Sequence, residues 1–158
     1  MLETYVIELE QELARADRAT FRVYPGVQAT LEAASASGAA VGLGTGNIEP
    51  GARLKLGHLN LSHHFAFGGF GSDHEQRVEI IRCGAARGAA RLGKALTECR
   101  VVVIGDTPKD VDAARGIGAE AIGVGTGAFT AEQLLGHGAH HAFDDLTGAG
   151  ALAALLGD

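Results

Sequence analysis

Two carboxylates one helical turn apart, Asp106 and Asp110, stand in the string VVVIGDTPKDVDAAR, residues 101–115. Asp106 follows directly on the β-branched run Arg100 to Ile104 and its closing Gly105. Pro108 is preorganised for the first position of a helix, and Thr107 has the hydroxyl to cap it. Paired carboxylates beside a helix start offer hard oxygen ligands, the set that Mg²⁺ takes. A capping box accounts for Thr107 and Asp110 without any metal. It does not account for an aspartate at the end of the most apolar strand of the chain.

A second loop carries a hydroxyl between glycines. In VGLGTGN, residues 41–47, Thr45 follows a short apolar run and is flanked by Gly44 and Gly46, with Asn47 next. Bare backbone N–H groups and a hydroxyl in such a loop can cradle a phosphate, although Gly-Thr-Gly is also an ordinary turn. A third stretch, FGSDHEQRVEIIR, residues 70–82, leads from a loop into a helix. Asp73 or Ser72 can cap that helix. Arg77 can place a cation at the same strand edge, or can simply be a solvated arginine; Arg82 and Lys55 are poorer choices.

These residues need elements to hold them. Leu2, Val6, Leu9, Leu13 and Ala16 recur at helical spacing, with Glu3, Glu8, Glu10 and Glu12 opposite, which predicts an amphipathic helix over 2–19. Tyr24-Pro25-Gly26 breaks it, and a helix over 26–37 follows. Strands are then expected at 39–44, 64–67, 100–104, 119–124 and 139–143. Helices are expected at 50–57, 75–90, from 108 to Gly116 or Gly118, at 130–135 and at 145–156. The alternation predicts an α/β fold, a Rossmann-like parallel sheet covered by helices on both faces. Ligands of such sheets bind at the carboxyl ends of strands, where Thr45 and Asp106 fall.

In this order the three motifs resemble those of the haloacid dehalogenase-like (HAD) hydrolase superfamily, and more narrowly its phosphoglycolate phosphatase-like branch. Thr45, Gly46 and Asn47 match the second motif. Arg77 stands where the third places a lysine or arginine. Asp106 and Asp110 match the fourth, Gly-Asp-[Ser/Thr]-x-x-Asp. Tyr24-Pro25-Gly26-Val27 is similar to the Pro-Gly-Val that precedes the first helix after the family's cap. The resemblance implies a Mg²⁺-dependent phosphatase acting on a small phosphorylated metabolite. Thr45, Gly46, Asn47 and Arg77 would bind substrate, and Asp106 and Asp110 the metal.

The first motif of that family, Asp-x-Asp-x-[Thr/Val], supplies the nucleophile that forms an aspartyl-phosphate. Upstream of Thr45 the chain has one aspartate, Asp17, and no Asp-x-Asp. The resemblance therefore implies that residues 1–22 are a remnant of the helical cap and 23–158 a core lacking its first strand. The chain alone is expected to be inactive. A start codon set too far downstream, an internal start or a truncated chain would each explain this. A lost central strand predicts that its neighbours close up or that the chain self-associates, with the first helix as a candidate surface for a homo-oligomer. The alternative is a non-catalytic phosphate-binding or self-associating protein derived from that fold.

Composition bounds the rest. In 158 residues the net charge is −6, which argues against non-specific nucleic-acid binding. No apolar run is long enough for a membrane span, and the acidic start is unlike a signal peptide. With only Cys83 and Cys99, read as buried reduced thiols, the cytoplasm is the default location. The doublets His63-His64 and His140-His141 are poorly placed for chelation, because neighbours on a strand point to opposite faces. Gly125-Thr126-Gly127 follows the strand expected at 119–124 and can line the cleft, although a plain turn explains it.

Overall fold

A computed structural model describes residues 3–7 and 26–157. Glu3–Ile7 form a strand, β1, in the middle of a six-stranded sheet. This corrects the expected helix over 2–19 at residues 3–7; the remainder of that helix and the Tyr24-Pro25 break lie outside the described residues. It also corrects the expected gap. β1 pairs in parallel with β2, Ala40–Gly44, on one side and with β4, Arg100–Gly105, on the other. A helix over 3–7 would leave the facing N–H and C=O groups of β2 and β4 without ladder partners, at about 1–3 kcal/mol for each buried group. That cost overrides a helical spacing of apolar residues, and it removes the reason to expect self-association across an open sheet.

The sheet runs β3-β2-β1-β4-β5-β6, with β3 at Phe67–Gly69, β5 at Glu120–Val124 and β6 at His141–Phe143. All neighbouring strands are parallel. Between them run α1, Val27–Ala36; α2, Glu49–His58; α3, Arg77–Arg91; α4, Pro108–Gly116; and α5, Ala131–His137. α6, Ala149–Leu156, follows β6. The strand expected at 64–67 begins only at Phe67, because 62–64 form a 3-10 turn.

Strand alternation divides the core in two. Val102, Ile104, Ile122 and Val124 point to one face and pack with Leu31 of α1, Leu56 of α2 and Leu155 of α6. Val103 and Ala121 point to the other and meet Ile81 of α3, Val111 and Ala114 of α4 and Leu134 of α5. The small residues of this second layer let the helices lie close to the sheet. At the amino end, Arg100 holds the last element in place. Its guanidinium donates to both carboxylate oxygens of Glu120, at 3.1 and 2.6 Å, and to the carbonyls of Leu155 and Ala154 at 2.7 and 2.9 Å. Cys83 and Cys99 are unpaired and half-buried rather than buried.

Candidate active site

The parallel register brings the two predicted motifs to one level. Leu43 of β2 and Ile104 of β4 both pair with Ile7 of β1. Thr45 and Asp106 each lie two residues beyond that line, on either side of the central strand. With neighbouring strands about 4.8 Å apart, their backbones are separated by roughly 10 Å. Both side chains are buried, Thr45 at 1% exposure and Asp106 at 3%. A hydroxyl and a carboxylate withdrawn from water at the carboxyl edge of a parallel sheet occupy the usual ligand position of such folds.

Thr45 is fixed by backbone bonds. Its N–H donates to the Gly69 carbonyl at 3.1 Å, and its hydroxyl oxygen accepts from the Asn47 N–H at 3.1 Å, which leaves the O–H to donate. The loop after β3 closes on the same turn. Gly71 N–H donates to the Asn47 carbonyl at 2.7 Å, and a Cβ on Gly71 would come within 2.0 Å of the Gly46 carbonyl oxygen. Gly46 is exposed and Asn47 half-buried.

Asp110 lies in the first turn of α4. It is 2% exposed, and both of its oxygens accept hydrogen bonds. Oδ1 accepts from Arg77 Nη1 at 2.7 Å; Oδ2 accepts from the Thr107 N–H at 3.1 Å and the Thr107 hydroxyl at 2.9 Å. Thr107 is the cap of α4 and Asp110 completes a capping box, as the spacing predicts. Gly105 makes this possible, since a Cβ there would lie 2.4 Å from the Asp110 carboxylate. Asp110 ties Arg77, at the start of α3, to the first turn of α4, and Asp106 stands directly after the end of β4.

Neither Asp73 nor Ser72 caps α3, whose cap position is Gln76 with no side-chain bond. Asp73 instead receives both Nη atoms of Arg87 at 2.7 Å and the Phe70 N–H at 2.9 Å. These hydrogen bonds, with Arg87 foremost, hold its carboxyl below the usual carboxylate range. The cluster stiffens the loop between β3 and Arg77. The histidine doublets have structural surroundings: His140 Nδ1 accepts from the Ala121 N–H at 2.9 Å, and the His63 and His64 rings lie 4.1 Å apart.

One neighbour of Asp106 comes from the triplet Gly125-Thr126-Gly127. Gly127, in the loop after β5, lies so close that a Cβ on it would stand 2.5 Å from Asp106 Oδ2. The signal was the small triplet Gly125-Thr126-Gly127 directly after a buried strand, indistinguishable in sequence from a plain turn.

A family model described as haloacid dehalogenase-like hydrolase matches residues 1–115. The chain belongs to that family. A second, HAD-hydrolase-like model matches residues 83–149. No curated protein matches the chain. Among solved HAD-like structures, a predicted phosphatase from Clostridium acetobutylicum aligns over 87% of this chain and 61% of its own, at 21% identity and a TM-score of 0.69. A predicted phosphoglycolate phosphatase from Haemophilus somnus aligns over 88% and 59%, at 21% identity and a TM-score of 0.64. A haloacid dehalogenase-like family hydrolase from Streptococcus pneumoniae aligns over 99% and 97%, at 12% identity and a TM-score of 0.70. The chain therefore spans about three fifths of the two named phosphatases and nearly all of the third structure. At these identities the likeness is one of fold.

HAD hydrolases typically use Mg²⁺. Among the described residues, no three His, Cys, Asp or Glu side chains are grouped to hold a metal ion. The donor chemistry fits Mg²⁺ in one respect. That ion is commonly held by only one or two carboxylates together with water, and Asp106 is a buried carboxylate at the strand end. Among the described residues, no helix is long and apolar enough to cross a membrane.

Proposed function

We propose that this HAD-like chain binds Mg²⁺ and the phosphate of a small metabolite as a phosphomonoesterase of the phosphoglycolate phosphatase-like branch does, and that by itself it hydrolyses little or nothing. The observation that carries the reading is the shared level of Thr45 and Asp106 on either side of β1, with Arg77 held nearby through Asp110. In this reading the Thr45 hydroxyl, whose oxygen is held by the Asn47 N–H, orients the phosphate together with the Gly46-Asn47 turn. Arg77 offsets its charge. Asp106 is the side chain that would hold Mg²⁺, which supplies charge stabilisation for a transferring phosphoryl group. Asp110 serves by positioning Arg77 and the α4 cap.

The proposed inactivity has a sequence basis that the placement of β1 sharpens. The residues bonded on after Ile7 are Glu8-Leu9-Glu10, two carboxylic acids at the spacing of the family's Asp-x-Asp. Glu8 and Glu10 lie outside the described residues. A glutamate is one methylene longer than an aspartate, and misplacing a reacting atom by about 1 Å can cost about a hundredfold in rate. The same observation favours the second reading, a non-catalytic phosphate-binding protein.

Calorimetric titration with inorganic phosphate in the presence of Mg²⁺, paired with a p-nitrophenyl phosphate assay, tests the proposal. Binding that needs Mg²⁺ and is lost in Asp106→Asn and Thr45→Val, with phosphate release at background, is the expected result. No phosphate binding with or without Mg²⁺ would overturn it.

A further inference from the structure

We infer that Gly127 is a positioning residue for the Asp106 carboxylate, and that the absence of a side chain at this one loop position is what allows Asp106 to hold a divalent cation. The inference rests on the reading of Asp106 as the Mg²⁺-holding side chain. A Cβ on Gly127 would stand 2.5 Å from Asp106 Oδ2, 3.1 Å from its Cγ and 3.4 Å from its Cβ. The first separation is at least about half an ångström shorter than Cβ atoms tolerate, so one partner must give way. Asp106 is short, 3% exposed, and anchored at the end of a strand buried on both faces, so the movable part is its carboxylate.

Backbone conformation does not explain the glycine. Six glycines have positive φ, at 26, 38, 93, 118, 138 and 157; Gly127 is not among them. A positive φ is therefore not what requires a glycine at 127, and the nearest atoms its Cβ would meet are those of the carboxylate. By contrast, Gly125 in the same loop packs a Cβ position 2.9 Å from the Ala131 backbone nitrogen, at the start of α5, which is a structural contact. The two glycines of one triplet thus have separate reasons. A carboxylate turned by half an ångström or more still carries its charge, but no longer presents its oxygens where a cation with strict octahedral geometry requires them.

The test compares the wild type, Gly127→Ala, Asp106→Asn and Gly136→Ala. Gly136 is the control, because nothing lies within 4 Å of its Cβ position. Mg²⁺ binding is read by isothermal titration calorimetry, thermal stability by melting without metal, and the Asp106 carboxyl by its ¹³C chemical shift in the metal-free protein. The expected result is at least a tenfold weaker Mg²⁺ affinity in Gly127→Ala, a moved Asp106 resonance, and a metal-free melt that stays cooperative, with Gly136→Ala binding Mg²⁺ and showing the Asp106 resonance as the wild type does. Mg²⁺ binding lost in Asp106→Asn but normal in Gly127→Ala would overturn the inference and leave the role of Asp106 standing. Wild-type protein that fails to bind Mg²⁺, or binds it equally well as Asp106→Asn, would overturn both. Failure of Gly127→Ala to fold would make the contact structural and overturn the inference alone.

Discussion

Arg77 and Asp110, 33 residues apart in sequence, meet at 2.7 Å across the starts of α3 and α4. The pair links the third motif to the fourth, and the carboxylate that accepts from Arg77 also closes the cap on Thr107. One side chain therefore fixes both the cation and the helix that follows Asp106. Asp110→Ala should cost about 2–4 kcal/mol of stability, because it removes the ion pair with Arg77 and the bonds that close the cap on Thr107. Arg77→Met should cost about 1–3 kcal/mol, and Arg77→Lys less. Urea unfolding of the three variants checks the order.

Gly71 couples the Thr45 loop to the next loop. Its Cβ position lies 2.0 Å from the Gly46 carbonyl oxygen, a backbone contact that no side-chain movement can relieve. Gly71→Ala should cost about 1–3 kcal/mol, in the range of overpacked cores, and should also weaken phosphate binding. Thermal melting and phosphate titration of the same variant read the two effects.

Acid should act in two stages. Burial, helped by the neighbouring His63, holds the His64 pKa below its ordinary 6.5, while Glu32 opposes the shift. Folded His64 binds its proton less readily than unfolded His64, so its contribution is complete above pH 6.5 and is lost as pH falls below that value. Hydrogen bonds from Arg100 hold the Glu120 carboxyl below its ordinary 4.5, and those from Arg87 hold Asp73 below 3.8. Those contributions are present above the ordinary values and fade as pH drops through the folded ones. Urea midpoints measured from about pH 7.5 to 3 should fall in two limbs. His64→Gln should flatten the upper limb and Arg100→Gln the lower.

The strand β1 is a backbone requirement of this fold. Removing residues 1–7 should abolish cooperative unfolding, because β2 and β4 each pair with it along their length. Far-UV circular dichroism on heating is the check; a sigmoidal melt in the shortened chain would contradict the assignment.

Much of this architecture is legible in residue order. The run Arg100 to Ile104, Pro108 after Thr107, and Gly44 before Thr45 announce β4, α4 and the end of β2 through local chemistry alone. What the sequence conceals is decided by distant partners. Thr4 to Ile7 are β-prone, yet Leu2, Val6, Leu9 and Leu13 also satisfy a helical repeat, and only the slot between β2 and β4 chooses between them. Asp110 announces the cap of α4 by its spacing from Thr107, but its bond to Arg77, 33 residues upstream, is not legible in the sequence. Asp73 reads as a cap for α3, but Arg87, well inside that helix, claims it. Gly127 looks like any turn glycine because its neighbour is 21 residues upstream.

The central claim is that a phosphate- and Mg²⁺-binding site stands assembled beside a central strand that lacks the aspartate nucleophile. Phosphate release from p-nitrophenyl phosphate, compared between the wild type and the double variant Glu8→Asp, Glu10→Asp, tests it most directly. The account predicts background release by the wild type, and Mg²⁺-dependent release by the double variant that disappears when Asp106→Asn is added. Release by the wild-type chain that Asp106→Asn abolishes would contradict it, since the existing residues would then already suffice for catalysis.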